Sequence, residues 1–140
     1  MGILKVGDLY HIGIAVHDAS KTADLYAKSL GLKIAHDESV EDQGVRAIML
    51  VPHNSTSSAI ELLEPIVENS SITKFLEKRG EGMHHICYLV DDIYESITSL
   101  KNDNIEMIDL VPREGLNNTL VAFAHPKSLN GVLIELAQKI

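Results

Sequence analysis

The sequence predicts an α+β fold built from two tandem βαβββ modules related by pseudo-twofold symmetry. Three observations predict it. Strand-length apolar runs and capped helical segments follow one another in the order βαβββ, a short helix, then βαβββ. The second series repeats the first at a shift of 74 residues, which carries His11 onto His85. The matched positions include polar residues lying inside apolar strands, where chance likeness between strands would supply only aliphatic matches.

The first strand is read at Leu9 to Val16, an apolar run carrying His11. Asp18 has the character of a helix N-cap, Ala23, Tyr26, Ala27 and Leu30 fall at helical spacing, and Gly31 ends the helix as a C′ glycine does. Leu32 to Ser39, Val45 to Val51 and Ala59 to Leu63 read as three strands, divided by turn-rich stretches at 41–44 and 53–58. Ser71 to Arg79 reads as a linker helix stopped by Gly80. The order then restarts: a strand over Met83 to Val90, the cap Asp92, a helix over Ile93 to Leu100, and strands over Ile105 to Val111, Leu120 to Ala124 and Val132 to Leu136. One domain over residues 1–140 is expected, with modules at about 8–66 and 81–140 and the linker helix at about 71–79.

Composition narrows the function. The chain has 140 residues, 45% of them apolar, enough for a real core. Its apolar runs are interrupted well short of the ~18 residues a membrane span needs, so no membrane partner is expected. The N-terminus lacks the basic, apolar, small-residue order of a signal peptide. A single cysteine, Cys87, allows no internal disulfide and fits a reducing cytoplasm. The net charge of −8 argues against nucleic acid as a partner, since a phosphate backbone calls for a basic face.

The repeat superimposes His11 on His85, Asp18 on Asp92, Pro52 on Pro126, and Ile60-Glu61-Leu62 on Ile134-Glu135-Leu136. A lone His in an apolar strand is ordinarily a hydrogen-bonded core residue, and a lone strand Glu ordinarily faces solvent. Four such residues at equivalent places are another matter. Two imidazoles and two carboxylates suit a divalent ion such as Zn²⁺, Co²⁺, Ni²⁺, Mn²⁺ or Fe²⁺, and an ionised Glu in an apolar strand is costly unless paired or metal-bound. His11, Glu61, His85 and Glu135 are therefore the candidate metal ligands, and two pseudosymmetric modules would form a metal-containing cleft. His84 and His85 must point to opposite strand faces, and the repeat selects His85. His17, His36 and His53 are assigned to loops or element ends, His125 to a strand end at the rim of the site, and Cys87 to packing.

These stretches resemble the vicinal oxygen chelate superfamily, which includes glyoxalase I, extradiol dioxygenases and fosfomycin and bleomycin resistance proteins. Within it the likeness is to the methylmalonyl-CoA epimerase family. It is carried by residues 11–16, 60–65, Gly80-Glu81-Gly82-Met83-His84-His85-Ile86-Cys87, Phe123-Ala124-His125-Pro126-Lys127 and residues 131–136, and it runs over essentially the whole chain. The resemblance implies His11, Glu61, His85 and Glu135 as ligands of a divalent metal ion, with Co²⁺ favoured and Zn²⁺, Mn²⁺ or Ni²⁺ as alternatives. It implies interconversion of (2R)- and (2S)-methylmalonyl-CoA by abstraction of the C2 proton through a metal-chelated enolate, with Glu135 and Glu61 as catalytic carboxylates. It also implies a small-molecule acyl-CoA substrate and a homodimer. Another metal-dependent enzyme of the superfamily, especially a glyoxalase I-like lyase, is the alternative. One position departs from the pattern. Some epimerases carry a proposed basic Glu after the Gln-Gly of the third strand, where this chain has Ala47 in Gln43-Gly44-Val45-Arg46-Ala47-Ile48. The base then lies elsewhere, or that Glu is not general. Lys74, Lys78, Arg79, Arg113 and Lys127 are candidates for the phosphates of the coenzyme, and the loop 114–119 offers donors to a free carboxylate, though each equally fits a solvated surface or an ordinary turn.

Overall fold

The strand and helix periods written in the chain become eight strands and three helices in the computed structural model, which describes residues 4–140. The expected domain over 1–140 includes residues 1–3, which lie outside the described ones. The elements run β1 (Leu9–Ala15), α1 (Ala19–Leu30), β2 (Lys33–Val40), β3 (Val45–Val51), β4 (Ala59–Pro65), α2 (Ser71–Arg79), β5 (Gly82–Leu89), α3 (Ile93–Asn102), β6 (Arg113–Glu114), β7 (Thr119–Ala124) and β8 (Ile134–Lys139). The fold is mixed α+β. It divides into two compact units, one formed by residues 11–84 and the other by residues 4–10 with 85–140.

In the first unit β1 pairs in parallel with β4, β4 antiparallel with β3, and β3 antiparallel with β2. Alternation along these strands sends two sets of side chains to opposite faces. Ile48, Leu50 and Leu62 turn to α1 and pack with Val16, Ala19 and Ala23, so one face is the hydrophobic core. The other face carries His11 and Glu61. Helix α1 starts where Asp18 accepts from the Lys21 N–H at 3.0 Å and ends at Gly31, whose φ of 70° suits a residue without a Cβ.

The second unit repeats this plan. β5 pairs in parallel with β8, β8 antiparallel with β7, and β7 antiparallel with β6. Ala122, Ala124 and Leu136 pack against Ile93 and Ile97 of α3. The repeat extends to single hydrogen bonds. Glu64 of β4 accepts from the Ala19 N–H at the start of α1, and Gln138 of β8 accepts from the Ile93 N–H at the start of α3. Val16 N–H reaches Leu63 O at 2.9 Å, and Val90 N–H reaches Ala137 O at 2.9 Å. Each of these pairs is related by the 74-residue shift.

One strand expectation fails. Ile105 to Val111 is not a strand: it holds a single bridge, Met107 to Ala124, and β6 is the two residues Arg113–Glu114. Two causes are visible. Ile108 and Asp109 N–H both point at Phe123 O, and the Asp109 carboxylate takes the Phe123 N–H at 2.9 Å, so the side chain supplies what a ladder partner would. Pro112 then follows and brings no N–H to a ladder.

Candidate functional site

Each unit places one imidazole beside one carboxylate on the sheet face turned away from its helix. In the first unit Gly13 of β1 stands opposite Glu61 of β4, and His11 lies two residues before Gly13 on the same face. With no side chain at Gly13 to stand between them, His11 Nε2 comes within 3.5 Å of Glu61 Oε1. Both residues are buried, at 4% and 6% exposure. In the second unit Cys87 stands opposite Glu135, and His85 lies two residues before Cys87. His85 Nε2 is 3.0 Å from Glu135 Oε1, and these two are 5% and 7% exposed. The His85 ring meets the ring of Phe123 edge-on, 5.4 Å between centroids, and Phe123 is the β7 partner of Glu135. Cys87, fully buried, packs with Val121 and Ala137, as expected of a small apolar side chain.

Burial of a carboxylate beside an imidazole is costly unless a cation or a proton compensates it. The donor chemistry fits a divalent ion, since buried imidazole nitrogen and carboxylate oxygen are the ordinary ligands of zinc and its neighbours. Within the second unit His85 and Glu135 are among the residues placed to hold a metal ion.

The other histidines divide. His84 is turned from its neighbour's face and packs edge-on against Phe75 of the linker helix, 4.9 Å between ring centroids. His17 and His53 are exposed. His125 caps the short 3-10 turn Pro126–Ser128 by accepting from the Lys127 N–H. His36 corrects the sequence reading. It lies within β2, neither in a loop nor at a strand end, half-buried, with Nε2 2.5 Å from Glu38 Oε1. The signal was available in its spacing, since His36 and Glu38 are two apart and so share a strand face.

Of the candidate phosphate contacts, Lys127 is tied to Glu106 at 2.8 Å. That bond, opposed by desolvation, holds the Glu106 carboxyl below its usual range. Arg79 lies over Phe75 of its own helix, and Lys74 and Lys78 are exposed on α2. Arg113 bonds Asp109 at 3.2 Å and covers the Phe123 ring. In the loop 114–119 Asn117 and Asn118 take φ of 56° and 55°, and the Asn117 amide donates to the Tyr10 hydroxyl, so turn geometry accounts for both.

A family model described as the Glyoxalase/Bleomycin resistance protein/Dioxygenase superfamily matches residues 10–123. The chain belongs to this superfamily. Several relatives similar to it over nearly its whole length are named as epimerases. It is 36% identical to the mitochondrial methylmalonyl-CoA epimerase of Dictyostelium discoideum, over 99% of this chain and 82% of that one. It is 38% identical to the ethylmalonyl-CoA/methylmalonyl-CoA epimerase of Cereibacter sphaeroides, over 95% of this chain and 98% of the relative. Among solved structures, a variant of Streptomyces coelicolor methylmalonyl-CoA epimerase in complex with 2-nitronate-propionyl-CoA is 35% identical, with a TM-score of 0.91 over 96% of each chain. No helix among the described residues is long and apolar enough to cross a membrane.

Proposed function

We propose that this chain is a metal-dependent epimerase that interconverts (2R)- and (2S)-methylmalonyl-CoA. The observation that carries the reading is the buried imidazole–carboxylate pair and its repeat: His85 with Glu135 in one unit, His11 with Glu61 in the other. The relatives named as methylmalonyl-CoA epimerases supply the substrate class, a CoA thioester. In this reading His11, Glu61, His85 and Glu135 converge on one divalent ion, with Co²⁺ the most activating and Zn²⁺, Mn²⁺ or Ni²⁺ as substitutes. The protein works as a cytoplasmic homodimer.

The chemistry sets what the residues must do. The C2 carbon lies between a thioester and a carboxylate. Inversion removes its proton as the C–H electron pair moves into the thioester carbonyl, giving an enolate, and a proton then returns to the opposite face. A divalent ion in the site would act as a Lewis acid toward the oxygen where negative charge develops. The imidazoles of His11 and His85 would supply nitrogen donors to the ion, and Phe123 packs edge-on against the His85 ring. Glu61 and Glu135 would neutralise a divalent charge and are candidate proton carriers. Buried apolar residues on the pair-bearing sheet faces, Leu63 in the first unit and Cys87, Val121 and Ala137 in the second, would limit the access of water to an enolate.

A coupled assay that consumes one epimer, run on each epimer in turn, tests the proposal. Turnover of methylmalonyl-CoA is expected, without turnover of a hemithioacetal. Turnover of the hemithioacetal alone would replace the epimerase by a glyoxalase I-like lyase.

A further inference from the structure

Inversion at carbon calls for a proton carrier on each face of the enolate, and the site-bearing face of the first unit holds one carboxylate that is not among the candidate ligands. The register defines that face. One row runs His36, Met49, Glu61, Gly13 across β2, β3, β4 and β1, and the next runs Glu38, Ala47, Leu63, Ala15. Among the described residues of these rows the titratable groups are Glu61, His36 and Glu38, with His11 one step along β1. A bulge at Ala35 brings His36 and Glu38 to this face. The opposite face confirms the orientation, because Asp37, between them, bonds Arg46 at 2.9 Å, and Arg46 bonds Ser20 of α1 at 2.8 Å.

We infer that Glu38, held by His36 and facing the substrate across Ala47, is the proton carrier for one face of the epimerase reaction. The inference rests on the proposed function and assigns it a residue. Three features support it. His36 Nε2 lies 2.5 Å from Glu38 Oε1, so the imidazole fixes the carboxylate and stabilises its charge. Both side chains are more than a third exposed, at 36% and 39%, so a ligand can reach them, whereas Glu61 is buried. Glu38 is also two strands from Glu61, about 10 Å between strand axes. Between Glu38 and Glu61 this face carries only the methyl group of Ala47 and the side chains of Met49 and Leu63, with no other titratable group.

Among its described residues the second unit carries no counterpart at the related position. The residue equivalent to Ala47 is Val121, and the strand residue facing it is Arg113, a cation. Related places in the two units thus present a carboxylate in one and a guanidinium in the other. In the step assigned to Glu38, the C2–H bond breaks, its proton passes to the Glu38 carboxylate, and the electron pair moves into the thioester carbonyl. Protonation of the other face of the enolate completes inversion. His36 is a positioning residue in this scheme.

The test is exchange of the C2 proton with D₂O, measured from each epimer separately, in wild type, Glu38→Gln, His36→Gln and Asp37→Asn, each assayed for bound metal. Glu38→Gln should keep its metal and lower epimerisation by about 10²-fold or more. It should lose deuterium wash-in from one epimer while keeping it from the other. His36→Gln should lose the same side to a smaller degree, and Asp37→Asn, on the helix face of the same strand, should keep both. Adding Ala47→Glu to Glu38→Gln should restore the lost side. Near-normal exchange from both epimers in Glu38→Gln overturns the assignment, as does equal loss from both, which marks a structural role, or loss of metal, which marks a ligand. Wild type that carries metal and turns over neither epimer overturns the epimerase reading itself, and the assignment with it.

Discussion

Two adjacent histidines, His84 and His85, have the same chemistry and opposite surroundings. His85 is buried beside Glu135, and His84 packs on Phe75 of the linker helix. Replacing His85 with Ala is expected to abolish metal binding and activity together, whereas His84→Ala should keep most of its metal, as read by elemental analysis. The reverse result would mean that the repeat selected the wrong residue. The carboxylates are expected to behave less simply. Glu61→Gln and Glu135→Gln should each cost about 10²–10⁴ in turnover while some metal remains, the range for loss of a general base. Isotope exchange should then differ between the two epimers, and near-normal turnover in both variants would remove these residues from the chemistry. The residues of the pairs were legible in the sequence because the 74-residue repeat singled out polar positions inside apolar strands. His36 was not legible, since one half-buried histidine outside the repeat carries no partner signal until the register shows that Glu38 shares its face.

At the scale of elements, capping and turn residues set the boundaries. Asp18 and Asp92 each accept an N–H three residues on, and replacing either with Ala should cost about 1 kcal/mol in urea unfolding. Gly44, at the turn into β3, has a φ of 66°, and a Cβ there would lie 2.2 Å from Val67 Cγ2. Gly44→Ala should therefore destabilise the unit by about 2 kcal/mol or more, from left-handed backbone strain and overpacking together. The Asp37–Arg46 pair adds a pH-dependent term. The hydrogen bond from Arg46, opposed by burial, holds the Asp37 carboxyl below its ordinary value of 3.8. A depressed carboxyl stabilises the fold above its unfolded-state value, and that contribution is lost as pH falls through the lower folded-state value. The difference in melting temperature between wild type and Asp37→Asn should be present at neutral pH and disappear in acid. Strands with plain apolar alternation and glycine or cap boundaries were readable in the sequence, among them β3 and α2, whose ends match the expected ones. The stretch 105–111 was not, because its apolar residues mimic a strand while Leu110 and Val111 are exposed and Asp109 bonds the backbone of β7.

For the whole molecule, the duplication was readable because the four-residue set and the helix caps recur together, and Ala47 was readable as a departure whose consequence needed the register. A homodimer is expected, and sedimentation at micromolar concentration should return twice the chain mass of 15.4 kDa. The central claim is that the two imidazole–carboxylate pairs hold one catalytic divalent ion. It is tested most directly by removing metal with a chelator, then adding Co²⁺, Zn²⁺, Mn²⁺ or Ni²⁺ singly while following methylmalonyl-CoA epimerisation and bound metal. An inactive apo protein is expected, with restoration at one ion per chain, Co²⁺ the most effective, and no restoration of His85→Ala. Full epimerase activity in the metal-free protein would contradict it.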